Sequence, residues 1–284
     1  MKATPAALLL FVVGCGALGD PGPPVRAVPW EARATGWLDD PVWYDGLAEV
    51  AVYDGTRTIY GLERRFPATI YTNKQRIDPG TTVKAESGGI ECFKQHTSER
   101  VPTENYDYDF STATFVTSDG LALVKLTASS QDDCGASFRH LWPRTGVEYR
   151  FWESVYFPGT GMRTATIAGP LIAYDALPLV LRDWPSELER ATLRVVPSQK
   201  HAQRQAFEPR AMTVVNAGEE VLDVPAGAIT CRRLLLQADG ATLASYWFAV
   251  DGSAPWLHAL VAHTGPEGVS YRLRSLERRA YWER

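Results

Sequence analysis

Cys134 and His140, with Asp132 and Asp133 directly upstream, are the one group in this chain whose types match nucleophilic catalysis: a thiol, a base and an orienting carboxylate. Such a set would serve a hydrolase. The competing reading makes Cys134 a disulfide partner or a loop residue, with His140 resting beside Trp142 near the surface. It is the stronger of the two, because closeness in sequence is poor support for catalytic geometry and an exported thiol is open to capture. No Gly-x-Ser-x-Gly elbow, His-Glu-x-x-His helix or Gly-x-x-x-x-Gly-Lys loop occurs. The five histidines, His96, His140, His201, His258 and His263, stand at no spacing that demands a metal. His258 and His263 are five apart on an expected strand and would face opposite sides. Paired carboxylates such as Asp39-Asp40, Asp132-Asp133 and Glu219-Glu220 read as solvated turns. Neither a metal nor a cofactor is expected.

Cys15 carries chemistry of another kind. Lys2 precedes an apolar run over residues 6–13, long enough for an export signal and too short for a spanning helix of ~20 residues. The run ends in Val12-Val13-Gly14-Cys15, which resembles the bacterial lipobox, so Cys15 is the expected lipidation site and mature N-terminus. Glycines and prolines over 16–24 then read as a tether. Gly16 replaces the Asp that resembles an inner-membrane retention signal, so in a Gram-negative cell the outer membrane, facing the periplasm, is the expected address.

Lipidation leaves Cys92, Cys134 and Cys231 of the four cysteines. An odd number allows one disulfide, expected between Cys92 and Cys134, both near strand or loop ends. Cys231 lies in an apolar run and reads as a small buried hydrophobe. Of the 284 residues, 45% are hydrophobic and 22% charged, the balance of an ordinary globular chain. A formal net charge of -4 gives no footprint for nucleic acid. Arg64-Arg65, Arg232-Arg233 and similar pairs read as solvated strand faces.

Period-two alternation dominates the mature chain, so the elements that position these groups are strands. Residues 47–53 and 57–60 alternate on either side of Asp54-Gly55, read as a turn. Residues 113–117 and 122–127 flank Asp119-Gly120, a hairpin signal. Further strands are expected from 192 onward, with Asp239-Gly240 and Asp251-Gly252 between them. Near 175–184 the spacing of Tyr174, Leu177, Val180, Leu181 and Trp184 predicts one short helix, with Asp175 available as its cap and Pro178 in its first turn. The fold class is mainly β: a large antiparallel curved sheet forming a barrel or half-barrel. The expected division is a signal peptide over 1–14, lipidated Cys15 and tether over 15–29, and one β-rich domain over 30–284.

Nine tryptophans are generous for this length, and Trp43, Tyr44, Tyr53, Tyr60, Trp152, Tyr156, Phe157, Tyr246, Trp247 and Phe248 are spread over these strands. Curved sheets offer concave, largely apolar sites, so an apolar cavity lined by some of Tyr53, Tyr60, Trp152, Tyr156, Trp247 and Phe248 is expected. Alternation turns Trp247 away from Tyr246 and Phe248.

The runs Trp43-Tyr44-Asp45-Gly46-Leu47-Ala48-Glu49-Val50-Ala51-Val52-Tyr53 and Arg57-Thr58-Ile59-Tyr60-Gly61, with Asp78-Pro79 and Gln131-Asp132-Asp133-Cys134-Gly135, resemble an uncharacterised family of bacterial lipoproteins. The resemblance covers most of the mature chain. Some such proteins are labelled septum formation inhibitors, a name implying nucleotide pyrophosphatase chemistry, but neither a parallel α/β pattern nor a phosphate loop accompanies it here. The resemblance implies an exported β-rich domain and supplies no catalytic residue. The leading expectation is a non-enzymatic, lipid-anchored envelope protein binding an apolar or lipid-like molecule or an envelope partner. An interaction protein with a filled core, docking a membrane complex, comes second, and a Cys134–His140 hydrolase third.

Overall fold

The computed structural model describes residue 28 and residues 36–145 and 147–283. The signal, Cys15 and nearly all of the tether lie outside the described residues. Fifteen strands join one sheet. In chain order they are β1 (Ala48–Ile59), β2 (Leu62–Ile77), β3 (Ile90–Pro102), β4 (Asp107–Thr117), β5 (Leu123–Asp132), β6 (Gly135–Thr145), β7 (Glu148–Val155) and β8 (Gly161–Ala168). After them come β9 (Ile172–Ala173), β10 (Arg190–Val196), β11 (Arg210–Val224), β12 (Gly227–Ala238), β13 (Ala241–Ala249), β14 (Leu260–Thr264) and β15 (Ser270–Arg279).

The first eight strands form an antiparallel meander. β15 returns to pair with β1, so the second meander continues the same sheet on the other side. Among the described strands, only β9 and β10 run parallel. The edges β8 and β9 do not pair with each other, and the sheet is a curved half-barrel rather than a closed barrel. Arg194 of β10 crosses the gap to the carbonyl of Ala168 in β8, a side-chain link where a closed barrel would have a ladder.

The Asp-Gly turn expectations meet different fates. Asp54-Gly55 lies inside β1, and the chain reverses instead at Tyr60-Gly61, whose φ values of 55° and 74° suit a tight hairpin of the type with two left-handed residues. Gly55 is needed for another reason: it pairs across the ladder with Phe66, and a Cβ there would sit 2.8 Å from the ring. Asp239-Gly240 does join β12 to β13, with φ of 52° and 78°. The β4–β5 hairpin also forms, although the left-handed residue is buried Leu121, at φ 54°, and not Asp119 or Gly120.

The expected helix is α1 (Leu177–Val180), one turn long, with Pro178 in its first turn where a missing N–H costs nothing. Asp175 does not cap it. Its carboxylate accepts from Ser198 Oγ at 2.6 Å and Gln199 N at 2.8 Å, because the chain after β10 doubles back beside it. Leu171, Ile172, Ala176, Leu177, Leu179 and Val180 are all buried inside the curve, so this segment is an apolar plug supplied by the chain itself.

Candidate functional site

The concave side is filled a second time, by the irregular segment 197–207 between β10 and β11. Loops normally run over the surface, because a buried one must find partners for its backbone. Here arginines provide them. Arg139 of β6 donates to the carbonyls of Gln199 (3.3 Å), His201 (2.7 Å) and Gln203 (2.5 Å), and Arg57 of β1 donates to that of Lys200 (3.3 Å). Ser137 Oγ donates to the carbonyl of Ala202 at 2.6 Å.

Buried cations need buried anions. Glu153 of β7, with no exposed side-chain surface, takes Arg139 at 3.5 Å, Arg163 at 3.0 Å and Arg204 at 2.7 Å. Glu99 of β3 takes Arg57 at 3.1 Å together with Lys200 and the Tyr271 hydroxyl. Burial alone would raise the Glu99 carboxyl, but Arg57 and Lys200 overcome it and hold the group at about 2. Burial lowers Lys200, outweighing its attraction to Glu99. Glu49 and Arg182 make a third buried pair, bidentate at 2.6 and 3.1 Å, under the rings of Trp37 and Trp43.

What remains of the interior here is a chamber of about 70 Å³, lined by Arg57, Lys200, Tyr174, Tyr246, His263 and Tyr271 among others. It holds two or three waters' worth of space, against roughly 300–1,000 Å³ for ordinary ligand sites. His263 is stacked on Tyr246 at 4.5 Å, and burial pushes it down to about 4, so it is neutral at physiological pH. Burial pushes Tyr246 and Tyr271 well up.

Charged residues inside leave aromatic residues outside. Along β6, Ser137, Arg139 and Leu141 face the interior, so Phe138, His140 and Trp142 face out; along β7, Phe151 and Glu153 face in and Trp152 out. The ladders align these residues into rows on the convex face. One row is His96, Ala113, Thr127, His140 and Trp152, consecutive partners from β3 to β7. Beside it run Ser98, Ser111, Ser129, Phe138 and Ser154. On the other side, Lys94 pairs with Phe115, Phe115 with Lys125, and Trp142 with Arg150. None of these positions is a carboxylate. His140 lies against Trp142 at 4.4 Å, Phe138 lies 5.8 Å from Trp152, and Met162 of edge strand β8 is 77% exposed next to Ser154. His140 Nε2 is buried without a hydrogen-bond partner among the described residues.

The residues singled out by sequence are thereby redistributed. Cys134 is exposed in the β5–β6 turn, where Asp132 accepts from its backbone N–H at 2.7 Å, whereas His140 lies six residues along β6, roughly 20 Å away. They form no catalytic pair. The Cys92–Cys134 disulfide is also absent: Cys92 pairs with Thr117 at one end of β4 and β5, and Cys134 lies beyond the other end of β5, roughly 30 Å off, far outside bridging range. Cys231 is buried as expected, and burial pushes its thiol, like that of Cys92, up to about 12.

None of the six proposed lining aromatics borders the chamber. Tyr53 and Phe248 do face inward but are packed, Tyr53 donating to the carbonyl of Leu260 at 2.9 Å. Tyr60 and Tyr156 are exposed, and Trp152 and Trp247 are half-buried on the outer face. Trp247 does point away from Tyr246 and Phe248, donating to Glu220 at 2.6 Å. Reasoning from sequence missed the interior ion pairs, whose one signal was charge at alternate positions: Arg139 between Phe138 and His140, Glu153 beside Trp152.

Comparison with known proteins adds a fold and no activity. No family profile matches the chain, and no curated protein does. The crystal structure of a beta-barrel-like protein of Domain of Unknown Function DUF1849, from Brucella abortus, is similar, with a TM-score of 0.51 and 12% identity over 81% of this chain and 97% of that one. At that identity the likeness is one of fold alone.

Proposed function

We propose that this is a lipid-anchored protein of the bacterial envelope, held in the outer membrane through Cys15, which acts without catalysis as a docking module. The observation carrying this reading is that the concave side is filled by the chain's own residues 171–184 and 197–207, while the convex face presents Phe138, Trp142 and Trp152. Apolar groups left on a surface in contiguous rows favour an interaction site. A chamber of about 70 Å³ argues against storage of a lipid-like molecule in the concave interior, and the larger groove of about 600 Å³, bordered by Arg65, Arg272 and Arg274, is open on the outer side of β1, β2 and β15.

A photo-cross-linking residue introduced in cells at position 152 tests this, with one at position 274 as control, since Arg274 is exposed elsewhere. Docking is supported by an adduct from 152 and none from 274. Absence of adducts from 138, 142 and 152, together with an apolar molecule recovered stoichiometrically from the native protein by mass spectrometry, would return the function to the interior. Cys15→Ser is expected to release the protein from salt-washed membranes, because two acyl chains supply stable anchoring; membrane retention of that variant would overturn the anchor.

A further inference from the structure

The convex face differs from the rest of this acidic chain in having cations, rings and hydroxyls but no carboxylates across its rows. Lys94 and Arg150 point outward there, and among the described residues neither makes an ion pair. Lys125 is occupied, donating to the carbonyl of Thr82 at 2.8 Å. Carboxylates return on this face at its rims, as Glu148, two residues from Arg150 on β7 and 3.8 Å from Arg144, and as Asp107 and Asp109, which hold Arg100, at the other end. An anionic partner is the one such a surface favours, because Glu148 is taken by Arg144 and the unpaired cations Lys94 and Arg150 attract anions and repel other cations.

The other side chains narrow the class. Trp142, Trp152 and His140 are half-buried, leaving part of each ring open for stacking and little of it to insert among acyl chains. Hydroxyls of Ser98, Ser111, Ser129, Ser154 and Thr127 are interleaved with the rings, offering both donors and acceptors. Strands ~4.8 Å apart repeat these groups at about the length of one sugar ring.

We propose that this face binds an anionic glycan chain running across β3–β7, its sugar rings on Trp152, Trp142 and Phe138, and its carboxylates toward Lys94 and Arg150. This rests on the docking reading and names its partner.

Purified protein lacking the signal is titrated with polygalacturonate oligomers, with dextran as neutral glycan, phosphatidylglycerol vesicles as anionic lipid and oligothymidylate as a stacking polyanion. Expected are saturable binding to polygalacturonate alone, about a tenfold loss in Trp152→Ala, recovery in Trp152→Tyr, and severalfold loss with a flatter salt dependence in Lys94→Gln/Arg150→Gln. Unchanged melting temperatures identify these variants as folded. No binding to polygalacturonate, binding indifferent to Trp152 and Arg150, or stronger binding to vesicles or oligothymidylate would each overturn the proposal. If polygalacturonate fails while position 152 still gives a discrete protein adduct in cells, the glycan is wrong and the docking reading stands.

Discussion

Replacing Glu153 by Gln keeps the shape of a fully buried side chain and removes the charge that three arginines share. Arg163 and Arg204 keep 28% and 30% of their side-chain surface exposed and can turn to water; Arg139, 1% exposed, cannot. Stranding a buried ion this way costs about 3–5 kcal/mol, and the carbonyls of Gln199, His201 and Gln203, which still accept from Arg139, put the expected loss near the lower end, about 3 kcal/mol. For a domain of this size that is a fall in Tm of roughly 6–12 °C. Calorimetry at pH 7 reads it directly. Because Arg139 holds the 197–207 segment, Glu153→Gln should also speed tryptic cleavage after Lys200 or Arg204. Arg204→Ala, which removes a half-solvated partner, should cost about 1 kcal/mol or less. A Glu153→Gln protein melting within about 2 °C of the parent, with unchanged resistance to trypsin, would refute the idea that this carboxylate secures the interior.

Acid should act through His263, whose folded value of about 4 lies below its ordinary 6.5, so the unfolded chain binds more protons between them and stability falls as pH drops from 6.5 to 4. The full loss is about 3 kcal/mol; urea unfolding of the parent and of His263→Phe across this window should give a slope that the variant flattens, and parallel curves would disprove it. Gly55→Ala should cost about 1–3 kcal/mol by pressing on the Phe66 ring, and less in a Phe66→Leu background; equal costs in both would remove Phe66 as the cause. Maleimide should label Cys134 within minutes under native conditions and reach Cys92 and Cys231 only on unfolding, whereas native protection of Cys134 would point back to a disulfide.

The curved antiparallel sheet was legible because alternation, Asp-Gly turns and β-branched runs report local backbone, and most of the sheet is built from neighbours in sequence. The short helix was legible for the same reason, since Leu177, Val180 and Leu181 keep their spacing and Pro178 is tolerated where it stands. Asp54-Gly55 misled because a glycine demanded by a facing ring reads like a glycine demanded by a turn. The cysteine pairing failed on information alternation does not carry: two residues near strand ends can lie at opposite ends of the same sheet.

The phase of alternation is the deeper case. Hydrophobicity would turn Phe138, Trp142 and Trp152 inward and Arg139 and Glu153 outward, and the fold does the reverse. The cause lies some 60 residues later in the chain, where residues 197–207 enter the curve without regular structure and bring the carbonyls of buried Gln199 and Lys200 and half-buried His201 with them. Those carbonyls need donors, so Arg139 and Arg57 must face in; the guanidinium groups need charge, so Glu153 and Glu99 must face in with them. In β6 and β7 every other residue is then forced out, and the rings there become surface. The filled interior and the aromatic convex face are therefore two consequences of one segment. A variant that shortened 197–207 would have to lose the ion pairs before the rings could return to the core.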